Sequence, residues 1–187
     1  MSRIIVIEFF TLDGVITDPD GSDGTATGGW ALRHGPQAIA GDKFQLGTIL
    51  DEGVMLLGRR TWSLFARIWP SRDDDFARRM NAVPKLVASH TVTEFDAWHN
   101  SSLVTGDLVD FARRERANRD VIVAGSISVA HMLMAADVVD EYRLLIFPTV
   151  VGTGAHLFPE GTSLRHLRTV AAASSGVAVL ARFEREN

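Results

Sequence analysis

The chain has no cysteine, a single tyrosine and no excess of basic residues. Without cysteine there is no disulfide, no thiolate nucleophile and no zinc–sulfur site. With 19 Lys and Arg against 23 Asp and Glu, the net charge of −4 leaves no electrostatic footprint for nucleic acid. Long apolar runs are missing too. None approaches the roughly 18–20 residues that span a bilayer. The run that begins at Ile4 meets Glu8 too soon for the apolar region of a signal peptide. These features predict a cytoplasmic protein with no membrane or nucleic-acid partner. The six histidines stand at no metal-ligand spacing, so no metal site is expected. The chain also has no Gly-x-Ser-x-Gly elbow, which removes that serine-hydrolase arrangement.

What is present is an ordinary globular composition, 46% hydrophobic and 22% charged over 187 residues, enough for one domain with a full core. Ile4 to Phe10 reads as a strand covered on both faces. Residues 17–35 are rich in Gly, Asp and Thr and read as a long loop. Pro36 then suits the first turn of a helix carrying Ile39, Asp42, Leu46, Ile49 and Leu50 at helical spacing, with Gly53 as its stop. Further strands are expected at 53–57, 85–88, 102–104, 121–124, 142–151 and 177–184. Helices are expected at 61–65 and 73–81, after Asp107 as its cap, and after Ser126, which can cap the next helix, where the stripe is Val129, Met132, Leu133 and Ala136. Helices alternate with strands until about residue 135, and strands dominate afterwards. The pattern predicts an α/β domain with a mainly parallel sheet and an antiparallel C-terminal hairpin region.

Two strand-to-glycine junctions carry the chemistry. Val54-Met55-Leu56-Leu57 runs into Gly58-Arg59-Arg60-Thr61-Trp62, and Val121-Ile122-Val123-Ala124 runs into Gly125-Ser126. Such turns let backbone N–H groups approach a phosphate, and arginine adds a bidentate contact. Two junctions, one doubly basic, point to a nucleotide cofactor with an extra phosphate, which NADPH satisfies. A solvated basic turn and a plain strand-to-helix joint are the alternatives.

The order of motifs resembles the dihydrofolate reductase-like superfamily, in particular the branch of the C-terminal reductase domain of bacterial riboflavin biosynthesis. The matching pieces are Thr11-Leu12-Asp13-Gly14-Val15-Ile16, Leu57-Gly58-Arg59-Arg60-Thr61-Trp62, Pro84 to Ser89, Gly125-Ser126 and Pro148 to Gly154. The resemblance implies a three-layer α-β-α fold around a mixed central sheet of about eight strands, with NADPH across the C-terminal sheet edge. It also implies a homodimer and a small heteroaromatic substrate. Candidate activities are reduction of a ribosylaminopyrimidine or of a dihydrofolate-type pteridine. The alternative is a nucleotide-binding or dimerisation module that kept the fold without catalysis.

The resemblance assigns Gly58, Arg59, Arg60 and Thr61 to the cofactor's 2′-phosphate and pyrophosphate, with Arg59 leading and Arg60 in support. Gly125, Ser126, Ile127, Ser128 and Val129 form the second phosphate turn, where many relatives carry Gly-Gly and this chain has Gly-Ser. Ser89 and His90 fall near the adenosine end or make a plain turn. Gly14 would let the first loop approach the nicotinamide, and Asp13 is a turn former or a polar group near the ring. Asp42 is the candidate proton donor. It lies on the apolar stripe, and it stands sixteen residues before Gly58, where folate reductases place an acid. The other reading makes Asp42 a helix cap. Trp30 and Phe44 are candidate stacking residues for the substrate.

Overall fold

The computed structural model describes residues 1–186. Its centre is one eight-stranded mixed sheet. The strands are β1 (Ile4–Thr11), β2 (Val54–Gly58), β3 (Lys85–Ala88), β4 (Ser101–Leu103), β5 (Val121–Ala124), β6 (Glu141–Phe147), β7 (Leu167–Ser175) and β8 (Ala178–Arg185). They lie in the order β4-β3-β2-β5-β1-β6-β8-β7. Every pairing from β4 through β6 is parallel, and β8 runs antiparallel to both its neighbours. The expected α/β architecture and C-terminal hairpin are therefore present.

The central parallel strands β1, β2 and β5 are mainly apolar because both faces are covered. Ile4, Val6, Val54, Leu56, Val121 and Val123 face one helical layer, α4 (Leu108–Arg116) and α5 (Ile127–Ala135). Ile5, Ile7, Met55, Leu57 and Ile122 face the other, which includes α1 (Thr48–Glu52), α2 (Arg59–Ile68) and α3 (Asp75–Ala82). Each such side chain fully buried contributes about 1.5–3 kcal/mol. A third cluster joins Trp30 and Ala38 to Leu145, Phe147 and Leu180, and so pins the 30–44 segment over β6 and β8.

Four expectations need correction. The helix from Pro36 to Gly53 is only a 3₁₀ turn at Pro36–Ala38 and the five-residue α1. Gly47 sits at φ 52°, a left-handed conformation that ends helical propagation. Asp42 takes the amides that a helix would have used, as described below. The helix expected at 61–65 starts at Arg59 and runs to Ile68. In α5 the buried stripe is Val129, Ala130, Leu133 and Met134, while Met132 is exposed. Finally, β7 was not expected, since residues 168–174 are exposed throughout and carry no burial pattern.

Candidate functional site

Because β2 pairs with β5 in parallel, the two glycine junctions emerge side by side at the C-terminal sheet edge. They are stapled together. Ser126 Oγ accepts a hydrogen bond from Gly58 N at 2.7 Å and donates to Ala124 O at 3.2 Å. Thr61 Oγ1 donates to Gly125 O at 3.2 Å. Gly125 sits at φ 60°, a conformation that favours glycine. Ser126 has an ordinary φ of −93°, so serine in place of a second glycine distorts nothing.

Ser126 occupies the N-cap position of α5, but its hydroxyl makes no cap bond; the expected cap is corrected to a strand-to-strand staple. Gly58 before α2 provides no side-chain cap either. Two uncapped helix N-termini, with Ile127 and Ser128 in the first turn of one, thus share the edge. Their free amides and dipoles favour an anion. Arg59 is exposed beside them, whereas Arg60 Nη2 is paired with Asp23 at 3.0 Å. Val129 points into the core, away from any ligand. After β3, Ser89 Oγ accepts from Thr91 N at 3.1 Å and Val92 N at 2.9 Å. That is the plain-turn geometry, with His90 exposed beside it.

On the other side of β1 lies an aromatic wall. Phe9 meets Phe44 at a tilt with ring centroids 5.3 Å apart, and Phe147 edge-on at 6.0 Å. Phe9 and Phe44 are half-buried, so part of each ring stays accessible. Trp30 is 2% exposed, donates from Nε1 to Thr17 O at 2.8 Å and meets Phe147 edge-on. It is a core anchor here, whereas the partly accessible Phe9 was not among the sequence candidates. Phe9 was hidden inside an apolar run that reads as strand core.

The candidate acids are committed to the backbone. Asp42 lies in a loop, and its two oxygens accept from Leu46 N and Gly47 N, each at 2.8 Å. That geometry braces a loop and leaves no helix face for the carboxylate to point from. Asp13 accepts from Thr11 Oγ1 at 2.6 Å and from the amides of Val151 and Gly152. The Thr11 hydroxyl first, then the Gly152 amide, hold its carboxyl down to about 2. An acid ionised that firmly cannot supply a proton at neutral pH. Asp13 instead ties the 11–16 loop to the 149–152 turn. Gly14, at φ 82°, packs next to His156 and Phe10.

Two buried ionic features had no sequence signal. Glu8 is 4% exposed, lies on the β1 face with Val6 and Phe10, and its Oε1 has no hydrogen-bond partner. Burial alone pushes its carboxyl up to about 8, so it stays neutral at physiological pH. Glu141 and Arg143 are buried and paired at 2.7 Å, and Glu141 also meets Arg3 and Arg182. Arg143 Nη1 donates to the carbonyls of Phe44, at 3.0 Å, and Gln45. The pair thereby fixes the loop that presents Phe44. Glu141 and Arg143 share a strand face by simple alternation; what the sequence does not show is the packing that buries that face under the 44–45 segment.

Two surface hollows, of about 310 Å³ and 390 Å³, open beside α3 and beside Trp62 with residues 92–97. Apart from Trp62, neither is lined by the residues of the glycine junctions or of the aromatic wall. We favour the sheet edge, where free donors, a free arginine and accessible rings converge. Among the described residues no three His, Asp or Glu side chains gather as a metal set, and no helix is long and apolar enough to cross a membrane.

Comparison with known proteins agrees with this geometry. The family model of the RibD C-terminal domain matches residues 2–180. An uncharacterised protein of Bacillus subtilis (strain 168), YyaP, is 26% identical over 163 residues, covering 83% of this chain and 80% of its own. A crystal structure from Shewanella sp. PV-4, provisionally assigned to riboflavin biosynthesis, superimposes with a TM-score of 0.74 at 22% identity over 99% of both chains. That likeness shows the fold, a dihydrofolate reductase-like mixed sheet. The match over nearly the whole length places this chain in the RibD C-terminal domain family.

Proposed function

We propose that the protein is an NADPH-dependent reductase of a small planar nitrogen heterocycle, of the ribosylaminopyrimidine or the pteridine type. The observation that carries this reading is the pair of uncapped helix N-termini stapled at one sheet edge beside Arg59. The donor set fits a dinucleotide. The amides at the starts of α2 and α5 suit the pyrophosphate, and the Arg59 guanidinium suits an additional phosphate. Gly125, lacking a side chain, admits a phosphate close to its backbone. The reduced nicotinamide, when bound, supplies a hydride.

The chain's own residues then bind, orient and exclude water. Phe9 and Phe44 offer a stacking surface for a flat ring, held by the Arg143 contacts to the Phe44 and Gln45 carbonyls. Asp42 contributes by bracing the same loop. With Asp13 and Asp42 both holding backbone amides, water is the proton source in this reading.

A second reading is favoured by that same lack of a free acid: a nucleotide-binding or dimerising module without catalysis. Fluorescence titration with NADPH and NADH, followed by turnover on dihydrofolate and on a ribosylaminopyrimidinone, separates the two. Binding with turnover on one substrate is expected. Binding without turnover on any heterocycle of these types favours the second reading, and no binding of either dinucleotide overturns the reductase reading. The family implies a homodimer in the cytoplasm, which sedimentation of the purified protein and its location in its host would check.

A further inference from the structure

The two arginines of the basic junction are not equivalent. Arg59 makes no ion pair among the described residues, whereas Arg60 Nη2 stands 3.0 Å from Asp23 Oδ1. Asp23 comes from the loop between β1 and the Pro36 turn, and this loop is built to hold it. Asp18 is 4% exposed, and its carboxylate accepts from Asp23 N and Thr25 N at 2.9 Å and from Thr25 Oγ1 at 2.8 Å. A Cβ at residue 28 would fall 2.1 Å from Asp18 Oδ2, so Gly28 is needed for the carboxylate to sit there. Gly29 N donates back to Asp18 O at 2.8 Å, and the Trp30 indole closes the loop onto Thr17 O. Asp23 is therefore presented by a braced loop and not by a free chain end. Both members of the Asp23–Arg60 pair are well exposed, so the pair adds little to stability. Its effect falls on whatever anion approaches Arg60.

We propose that Asp23 is a specificity-determining residue: its fixed carboxylate occupies Arg60 and opposes the additional phosphate of a phosphorylated dinucleotide, which leaves Arg59 to hold that phosphate alone. The inference rests on the reading that this edge binds a nicotinamide dinucleotide. A phosphate monoester carries roughly −1.5 to −2 at pH 7. A carboxylate a few ångströms away repels it, while the 2′-hydroxyl of the unphosphorylated cofactor feels no such repulsion and can donate to a carboxylate. Asp23 thus narrows the preference for NADPH over NADH that Arg59 and Arg60 together would create.

The test is titration of wild type and Asp23→Asn with NADPH and NADH at low salt. Asparagine keeps the Asp23 amide that donates to Asp18, and the site is exposed, so the fold is retained. The expected result is a five- to tenfold fall in the NADPH Kd, with the NADH Kd within about twofold, at surface dielectric strength. The gain shrinks on raising salt from about 50 to 500 mM, because the repulsion is screened. Arg60→Ala is expected to change NADPH binding less in wild type than in Asp23→Asn, where the arginine is free. If both dinucleotides bind wild type and Asp23→Asn shifts neither, or shifts both equally, the inference is overturned while the reductase reading stands. If neither dinucleotide binds wild type, the reading falls and takes the inference with it.

Discussion

At the starts of α2 and α5 no side chain caps the first-turn amides, whereas the carboxylates of Asp13, Asp18 and Asp42 each hold loop amides. The first region has a staple, Ser126 Oγ to Gly58 N, that fixes two strand ends without capping either helix. The second spends Asp13, Asp18 and Asp42 on six backbone amides in loops. The difference teaches where to look for function in a chain of this kind. Free donors with no internal partner mark a place built for a ligand. Acids with every oxygen engaged mark a place built to hold shape, even when they lie near the rings that a substrate would meet.

The strongest way to break this contrast is to remove the buried ion pair under the second region. Glu141→Ala leaves Arg143 buried without its partner and is expected to cost about 3–5 kcal/mol, read as a lower urea midpoint. A change under 1 kcal/mol would mean that the loop carrying Phe44 does not depend on that pair.

Glu8 gives the next effect and its sign is fixed. Its folded value of about 8 lies above the ordinary 4.5, so the unfolded chain ionises first as pH rises. The stability attached to this group is full below about pH 4.5 and is lost as pH climbs toward 8. The loss by pH 7 is on the order of 3 kcal/mol, at about 1.4 kcal/mol per pH unit. Glu8→Gln should flatten that part of the pH–stability curve relative to wild type. Parallel curves for the two proteins would place the Glu8 carboxyl in contact with solvent.

Asp42→Asn sharpens the comparison most finely. Asparagine can accept from one of the two amides but not from both, so about 1–2 kcal/mol of stability is expected to go. Any fall in turnover should leave the pH profile of kcat in place, because the residue braces a loop. A loss of one limb of that profile would restore Asp42 as the proton donor.

Much of the frame was legible because the physics was local. Val54 to Leu57 and Val121 to Ala124 are short apolar runs followed by glycine, and both became central strands. Asp107 capped its helix as read, accepting from Val109 N and Asp110 N. The segment after Pro36 misled because Ile39, Leu46, Ile49 and Leu50 repeat at helical spacing yet reach the core from a loop, a 3₁₀ turn and a five-residue helix. Burial set that pattern, and Gly47 with Asp42 broke the helix. Glu8 had no sequence signature, and although Glu141 and Arg143 share a face of one strand, their burial and their contacts with Arg3 and the Phe44 carbonyl come from segments distant in sequence. Asp23 read as one acid in a polar loop until its partner proved to be Arg60.

The central claim is that the β2–β5 edge, with Arg59 beside two uncapped helices, binds a phosphorylated dinucleotide. Calorimetric titration of wild type and Arg59→Ala with NADPH and NADH tests it directly. The expected result is wild-type binding of NADPH that weakens about 10–100-fold in Arg59→Ala, with a much smaller change for NADH and the same urea midpoint. Unchanged NADPH affinity in Arg59→Ala, or an equal loss for both dinucleotides, would contradict it.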